Sequence, residues 1–268
     1  MSVFLIDRIK REGFISEIKR LRVKYYFFLR KFSKKEFISK SGCLKSFYGP
    51  HLKENWDDIT FRFCLRGSYG NFYSSFLENF TDKFTFIDIG ANQGIYSLVA
   101  ARNQNCVLVN AFEPVPNTYS FLRENFCINN LLYKANLYKK AIDSSTGHIK
   151  ILFDASHSGS ASIAKYKDNS SELNIETINS EALEKIPIAK NSKIIIKVDV
   201  EGHEKIVLDE LHKTSFFKDI FAIYIEYDEN IPSSKKIIRF MRENNFTCTP
   251  IKDKSTKSQY NIHCLRDN

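Results

Sequence analysis

The sequence lacks several features that would assign it quickly to a class. No run approaches the roughly 18 consecutive apolar residues that a membrane-spanning helix needs. The six cysteines are scattered and include no C-x-x-C pair. We therefore expect small buried thiols in a reducing cytoplasm, and neither a disulfide framework nor a zinc site. The start, MSVFLIDRIK, interrupts its apolar stretch at Asp7, so we expect no secretory signal.

The chain also lacks net charge outside its first 45 residues. Residues 1–45 hold 13 basic and 4 acidic side chains, whereas residues 46–268 hold 27 of each sign. A nucleic-acid enzyme more often spreads positive charge over its catalytic face. Nucleic acid is therefore a disfavoured partner.

An apolar stripe runs along this basic segment. Its members follow one another at intervals of three or four, as on one face of a helix: Phe14, Ile18, Leu21, Tyr25, Phe28 and Phe32. The stripe could pack against the rest of the chain or against a partner subunit in a homo-oligomer. It could instead rest on anionic lipid, which would place a cytoplasmic protein peripherally at the inner membrane face. Both interpretations stay open.

From residue 83 the pattern alternates between strands and helices, which is typical of an α/β fold with a mostly parallel, doubly wound sheet. Residues 246–251 and 259–266 differ and predict an antiparallel hairpin at the sheet edge. We divide the chain into a basic helical extension and connector, 1–80, and a domain, 81–268. The predicted strands are 83–90, 106–113, 136–143, 193–200 and 220–227, with further strands at 147–154 and 171–178.

The stretch FIDIGANQGIYS, residues 86–97, reads as a strand, a glycine turn and a helix. Such a turn builds a ligand crevice at the carboxyl ends of parallel strands. Glu113 ends the next strand, 19 residues after Gly94, where a carboxylate can accept hydrogen bonds from ribose hydroxyls. The turn has no third glycine, which weakens the case for a nicotinamide dinucleotide without removing it. No Lys and Ser/Thr follow Gly94, so a nucleoside triphosphate is disfavoured. An adenosine-bearing ligand fits, either NAD or S-adenosylmethionine.

Three motifs in order resemble the FkbM family of methyltransferases. They are DIGANQG at 88–94, FEPVPN at 112–117 with Leu122 and Asn125 following, and KVDVEGHE at 197–204. The resemblance implies a Rossmann-like class I methyltransferase fold, S-adenosylmethionine as cofactor, and methylation of hydroxyls in sugars and natural products. By motif, it implies a cofactor site made of Asp88, Gly90, Ala91, Asn92, Gly94, Glu113, Pro114, Ala141 and Ile142.

The catalytic face is expected on the strand IIIKVDVEG, where Lys197, Asp199 and Glu201 alternate and so share one side. Asp199 is the first choice for the base or for the carboxylate that orients the acceptor, with Lys197 keeping it ionised. His203 and Glu226 could reach the same pocket. A purely structural Lys197–Asp199 ion pair is an alternative. We expect no metal, although Mg²⁺ on Asp199, Glu201 and Glu226 stays open.

These observations predict an O-methyltransferase that acts on a sugar hydroxyl in a surface-polysaccharide or glycolipid intermediate. The strand KVDVEG has neither an Asn/Asp-Pro-Pro-aromatic motif nor a Pro-Cys, so methylation of nucleic-acid bases is disfavoured. Three alternatives stay open: an RNA ribose methyltransferase, an NAD-dependent oxidoreductase, and a non-catalytic adaptor with the same fold.

Overall fold

In a computed structural model of the chain, the described residues are 3–33, 38–154, 156, 158–160, 171–231, 234–251 and 259–267, with backbone alone for 3–16. The helices are α1 (Val3–Phe32), α2 (Ile59–Arg66), α3 (Phe72–Asn79), α4 (Ile95–Arg102), α5 (Pro116–Ile128), α6 (Ser180–Leu183), α7 (Glu204–His212) and α8 (Ser234–Glu243). The strands are β1 (Cys43–Lys45), β2 (His51–Lys53), β3 (Phe84–Ile89), β4 (Cys106–Phe112), β5 (Ala135–Tyr138), β6 (Ala141–Ile142), β7 (Gly147–Phe153), β8 (Ser171–Ile178), β9 (Lys193–Val198), β10 (Ile220–Asp228), β11 (Phe246–Ile251) and β12 (Gln259–Arg266).

A seven-stranded sheet in the order β11-β12-β10-β9-β3-β4-β5 organises the fold. The five strands from β10 to β5 in this order are parallel, whereas β12 is antiparallel to both β10 and β11. This is the Rossmann-like methyltransferase fold, and the predicted edge hairpin is confirmed. The connecting residues of that hairpin, 252–258, lie outside the described residues.

The strand order reverses between β3 and β9. From β3 the chain continues outward to β4 and β5, and it later returns beside β3 to continue through β9 and β10. In an open parallel sheet, ligands bind beyond the carboxyl ends of the strands at such a reversal. The topology therefore puts the crevice where the turn after β3 meets the residues that follow β9.

The central strands are buried on both faces, which explains their continuous apolar runs. All six residues of β3 and all but the first of β9 are buried. Alternate side chains serve two separate clusters, so that Phe84 and Phe86 pack with α3 and α4, whereas Ile87 and Ile89 pack with α7 and α8. Period-two alternation thus divides one strand between two helical layers.

The predicted strand over residues 136–143 proved to be two. β5 belongs to the main sheet, whereas β6 pairs with β8 in a separate three-stranded sheet in the order β6-β8-β7. The extra strands expected within residues 144–192 are confirmed as β7 and β8. Of the loop between them, residues 155, 157 and 161–170 lie outside the described residues.

The segment that precedes the sheet contributes to its core. Leu52 of β2, Phe61 and Leu65 of α2, and Tyr73 and Leu77 of α3 are almost completely buried in the same cluster as the first face of β3. Residues 46–80, which we predicted as a connector, therefore share a core with the domain predicted for residues 81–268. The aromatic content of residues 46–80 is explained by this packing.

Two of the cysteines depart from the sequence prediction. Cys248 and Cys264 are direct partners on β11 and β12 and form a disulfide bond. The expectation of thiols throughout was wrong for this pair, because the hairpin register, which the scattered spacing does not show, brings the two residues face to face. Cys64 and Cys106 are buried free thiols as expected, whereas Cys127 is an exposed one.

None of the described helices is both long enough and apolar enough to cross a membrane. This agrees with the absence of long apolar runs from the sequence.

The packing of α3 gives a stability prediction. The Tyr73 ring stacks on Tyr224 of β10 with 3.9 Å between centroids and is 1 % exposed. Replacing a buried aromatic residue by alanine costs about 3–5 kcal/mol, so Tyr73→Ala should lower the free energy of unfolding by that amount in a denaturant titration. Tyr133→Ala is the control, since Tyr133 is 79 % exposed, and should change it by less than about 0.5 kcal/mol. Equal effects of the two substitutions would contradict a shared core.

Candidate active site

A cavity of about 580 Å³ lies at the carboxyl ends of β3, β4, β9 and β10. Small-molecule sites commonly have about 300–1000 Å³. Of the predicted site residues, Asp88 and Gly94 do not line this cavity. The others do: Gly90, Ala91, Asn92, Glu113, Pro114, Ala141, Ile142, Lys197, Asp199, Glu201, His203 and Glu226.

The two glycines of the turn after β3 are required by close approaches of the protein to itself. Both have positive φ, 79° at Gly90 and 85° at Gly94. A Cβ atom at Gly90 would overlap the carbonyl oxygen of Asp199, and one at Gly94 would overlap the side chain of Leu122. Glycine avoids both conflicts. The turn is therefore packed between Asp199, which follows β9, and Leu122 of α5, and its residues 90–92 line the cavity.

Asn125 of α5 clamps the same turn. Its side-chain amide donates to the carbonyl of Gln93 at 2.8 Å, and its side-chain oxygen accepts the backbone N–H of Lys53 at 2.7 Å. The side chain is completely buried. The asparagine of the second motif thus joins the turn to α5 and to β2.

Glu113, at the end of β4, is a buried carboxylate with two backbone donors. One oxygen accepts the N–H of Asn92 and the other that of Val115, both at 2.9 Å. Burial raises the pKa of Glu113 to about 7, although the two hydrogen bonds act in the opposite direction. Each oxygen keeps a free lone pair, which is what acceptance of two ribose hydroxyls requires.

Lys197 is the buried cation of the site. Its ammonium lies 3.1 Å from Asp199, 3.5 Å from Asp88 and 3.2 Å from the carbonyl oxygen of Gly90. Burial alone would lower the pKa of Lys197, but the carboxylates of Asp199 and Asp88 outweigh it and raise that pKa. Asp88 also accepts the hydroxyl of Ser97 at 2.6 Å. Asp88 therefore acts behind the cavity, through Lys197 and α4.

Three carboxylates meet in the wall of the cavity beside Lys197. Asp199, Glu201 and Glu226 each place an oxygen within 4.8 Å of the others. Within the described part of the chain, they are the one group with the spacing of a metal site. Lys197 already supplies a cation beside Asp199. The absence of a metal stays a prediction.

His203 lines the cavity and has a partner that the sequence did not reveal. Its Nε2 lies 3.1 Å from Oδ1 of Asp143, which follows β6. When Asp143 accepts a hydrogen from Nε2 of the neutral ring, Nδ1 remains as the basic nitrogen. Sequence reasoning missed Asp143 because 60 residues separate the pair. Glu204 braces the turn between β9 and α7 by accepting the N–H groups of Val200 and Gly202.

A second missed residue, Asp58, lies in the segment that the sequence left without a motif. One of its oxygens accepts Gln93 Nε2 at 2.5 Å and Ser158 Oγ at 2.6 Å, and the other caps α2 through Thr60. Asp58 is 1 % exposed. An acidic N-cap before a helix was readable in the sequence, but its distant partners were not. Residues of the same segment line the cavity: Thr60, Phe63, Cys64, Ser68 and Tyr69.

The remaining wall is apolar and comes from the three-stranded sheet. Ile149, Ile151 and Ile175 line the cavity next to Ala141 and Ile142. They offer a surface on which an adenine ring can pack, opposite the polar groups of the turn.

S-adenosylmethionine suits this set of groups. Glu113 has lone pairs for a ribose, and the isoleucine wall is apolar. The carboxylates beside Lys197 are compatible with a positively charged sulfonium. These groups match the ribose, the adenine and the sulfonium of the cofactor.

Comparison with known proteins identifies the family. The sequence matches the methyltransferase FkbM domain over residues 88–248, which is more than half of the chain. No curated protein sequence matches it.

Solved structures of several methyltransferases resemble the fold. A precorrin-6y methyltransferase from Geobacter metallireducens is 13% identical, with a TM-score of 0.43, over 73% of this chain and 87% of its own. TrmK from M. capricolum, solved with S-adenosyl-homocysteine, is 10% identical, with a TM-score of 0.44, over 73% of this chain and 67% of its own. A ribosomal-protein methylase from Lactobacillus delbrueckii subsp. bulgaricus is 14% identical, with a TM-score of 0.45, over 75% and 79%.

The raised pKa of Glu113 predicts a pH-dependent affinity for S-adenosylhomocysteine. Below about pH 7 the carboxyl is protonated, so that one oxygen no longer accepts a hydroxyl. Between pH 6 and 8 the ionised fraction rises about tenfold, and affinity measured by calorimetry should rise by up to that factor. Glu113→Gln is the control, because any remaining pH dependence then comes from ionisation of the ligand or of other groups. This variant should bind S-adenosylhomocysteine more weakly at pH 8, and its affinity should change less between pH 6 and 8. Identical profiles would rule out Glu113 as the ribose acceptor.

Proposed function

Because the chain belongs to the FkbM family of S-adenosylmethionine-dependent methyltransferases, we propose that it methylates a hydroxyl group of a sugar, in a surface polysaccharide or glycolipid intermediate. Membership decides between the two adenosine-bearing cofactors in favour of S-adenosylmethionine. The choice of acceptor rests on the chemistry of the cavity.

The carboxylates of the cavity support a neutral, hydroxyl-rich acceptor. Asp199, Glu201 and Glu226 lie together there, with Lys197 3.1 Å from Asp199. Ionised carboxylates accept hydrogen bonds and donate none, which suits a ring of hydroxyl donors. The same charge repels phosphates. An RNA ribose, flanked by phosphates on both sides, is therefore a weaker candidate than a sugar.

Aromatic side chains line the same cavity as these carboxylates. Tyr69, Tyr96, Tyr224 and Tyr260 line the cavity with the carboxylates. Aromatic rings offer apolar area at low entropic cost together with a polar tip. A sugar presents both C–H faces and hydroxyl edges, so this mixture of rings and carboxylates suits it.

The bound cofactor supplies an electrophilic methyl group on a sulfonium, which the acceptor oxygen displaces in line. The protein has to position the hydroxyl and take its proton. Asp199 is suited to this because its side chain is 38 % exposed in the cavity while Lys197 fixes one oxygen from behind at 3.1 Å. Alignment of reactants can supply about 7–11 kcal/mol of the barrier, and a positioned base about 10²–10⁴-fold more in rate.

The His203–Asp143 pair is the second candidate for the base. An imidazole oriented by a carboxylate is a common general base, and His203 lines the same cavity. The proposal for Asp199 depends on its contact with Lys197, whereas the proposal for His203 depends on its contact with Asp143. Single substitutions can therefore separate them.

The experiment combines an acceptor panel with two variants. The protein is incubated with S-adenosylmethionine, neutral oligosaccharides and RNA, and methyl incorporation is followed by mass spectrometry. We expect O-methylated oligosaccharide. Asp199→Asn should lower kcat by about 10²–10⁴-fold and leave the affinity for S-adenosylhomocysteine nearly unchanged. Glu172→Gln is the control, since Glu172 is an exposed carboxylate that pairs with Lys150 on the second sheet.

Other outcomes assign the function differently. If activity survives in Asp199→Asn and is lost in His203→Gln, the general base is assigned to His203. If RNA is the sole substrate that becomes methylated, the acceptor is a ribose hydroxyl and not a polysaccharide sugar. Binding of S-adenosylhomocysteine without turnover on any acceptor would favour the adaptor, and loss of activity on adding EDTA would restore the metal alternative.

A further inference from the structure

The N-terminal helix α1 has two apolar faces, and the domain covers one of them. Val23 is buried, and Tyr26 and Phe27 pack against the first cluster of the core. The Phe27 ring contacts Trp56 edge-on, with 5.3 Å between the ring centroids. The guanidinium of Arg66 lies 4.1 Å from the centroid of the Phe27 ring. These contacts fix the orientation of the helix on the domain.

The other face carries the stripe that the sequence predicted, and it points away from the domain. Its exposed fractions run from 48 % to 69 % for Ile18, Leu21, Tyr25, Phe28 and Phe32. The alternative in which the stripe packs against its own domain therefore does not hold for these five residues, whereas packing against a partner subunit stays untested. The side chain of Phe14 lies outside those that the structure describes.

The stripe is continuous. Its five residues succeed one another at intervals of three, four, three and four, so their side chains form one row along the helix. The rings of Phe28 and Phe32 contact each other, with centroids 4.9 Å apart. Single exposed apolar residues are ordinary on protein surfaces, whereas a contiguous row of large ones marks an interaction surface.

The charges beside the row indicate what covers it. Across residues 17–33 the chain has six basic residues and one acidic residue, Glu17. Lys19 and Arg30 lie over the rings of Phe47 and Trp56, and Arg22 donates to the carbonyl of Ser46, so these three serve the contact with the domain. Lys24 and Lys31 are exposed, and at 100° per residue both fall on the same side of the row.

This arrangement favours an anionic surface over a second copy of the helix. Two copies joined along their stripes would bring basic edges together with almost no acidic side chains to oppose them. An anionic lipid surface takes the apolar row into the headgroup boundary and meets the lysines with phosphate groups. Apolar contact and charge then act in the same direction.

We propose that the outward face of α1 binds anionic membrane lipid, with the helix lying parallel to the surface. The row Ile18–Phe32 enters the interfacial region, and Lys24 and Lys31 contact lipid phosphates. The opposite face keeps the helix attached to the methyltransferase domain, so lipid binding holds the cavity near the membrane. This inference does not depend on which acceptor is methylated.

The test is co-sedimentation of the full chain with vesicles. We expect binding to phosphatidylcholine vesicles that contain phosphatidylglycerol, weakened by salt, and little binding to phosphatidylcholine alone. Leu21→Ser/Phe28→Ser should reduce the partition coefficient at least tenfold, and Lys24→Gln/Lys31→Gln should reduce it and remove most of the salt dependence. All four positions are exposed, so both variants should keep their affinity for S-adenosylhomocysteine.

Matched controls carry the same changes elsewhere on the surface. Tyr133→Ser alters an exposed aromatic residue, and Lys235→Gln/Lys236→Gln alters two exposed lysines of α8; both should partition like the unaltered protein. Wild-type protein that ignores anionic vesicles at low salt would overturn the proposal. So would a dimer that Leu21→Ser/Phe28→Ser dissociates, or binding to RNA but not to vesicles.

Discussion

A buried ammonium group at the strand reversal is the constraint on which the site depends. Lys197 lies on a strand enclosed by both helical layers and touches Asp88 of β3, the turn carbonyl of Gly90, and Asp199. An unpaired charge in such a place would cost several kcal/mol. The cation therefore holds residues 88–90 against residues 197–199. The first of these two segments leads into the cofactor turn, and the second carries one of the carboxylates proposed to contact the acceptor.

The cofactor turn and Asp199 are consequently parts of one packed structure. Gly90 must be a glycine because the carbonyl of Asp199 occupies the space of a Cβ atom. The position of Asp199, a candidate catalytic residue, thus determines which residue the cofactor turn can carry at position 90. Asn125 and Asp58 hold the far side of the turn from α5 and from the start of α2. Substitutions of Gly90, Asn125 or Asp58 should therefore be felt in both cofactor affinity and turnover.

Features with local signals could be predicted from the sequence, and features that depend on distant pairing could not. The strands β3, β4, β9 and β10 appear as apolar runs, and the glycine turn and Glu113 have characteristic spacing. Asp143 beside His203, Asp58 beside Gln93, and Cys248 opposite Cys264 depend on how remote segments meet. The stripe of α1 was readable from its period, but only the structure shows which face of the helix is turned outward.

The unfolding free energies of three variants, Lys197→Met, Asp88→Asn and the two combined, test the account most directly. Lys197→Met leaves Asp88 buried without its cation, and removal of one partner of a buried pair costs about 3–5 kcal/mol. Adding Asp88→Asn removes the stranded charge while keeping an acceptor for Ser97, so the double variant should recover most of that loss. Two results would contradict the central role of this ion pair. One is an unfolding free energy that Lys197→Met leaves unchanged. The other is a combined variant whose loss of unfolding free energy equals the sum of the losses in the two single variants.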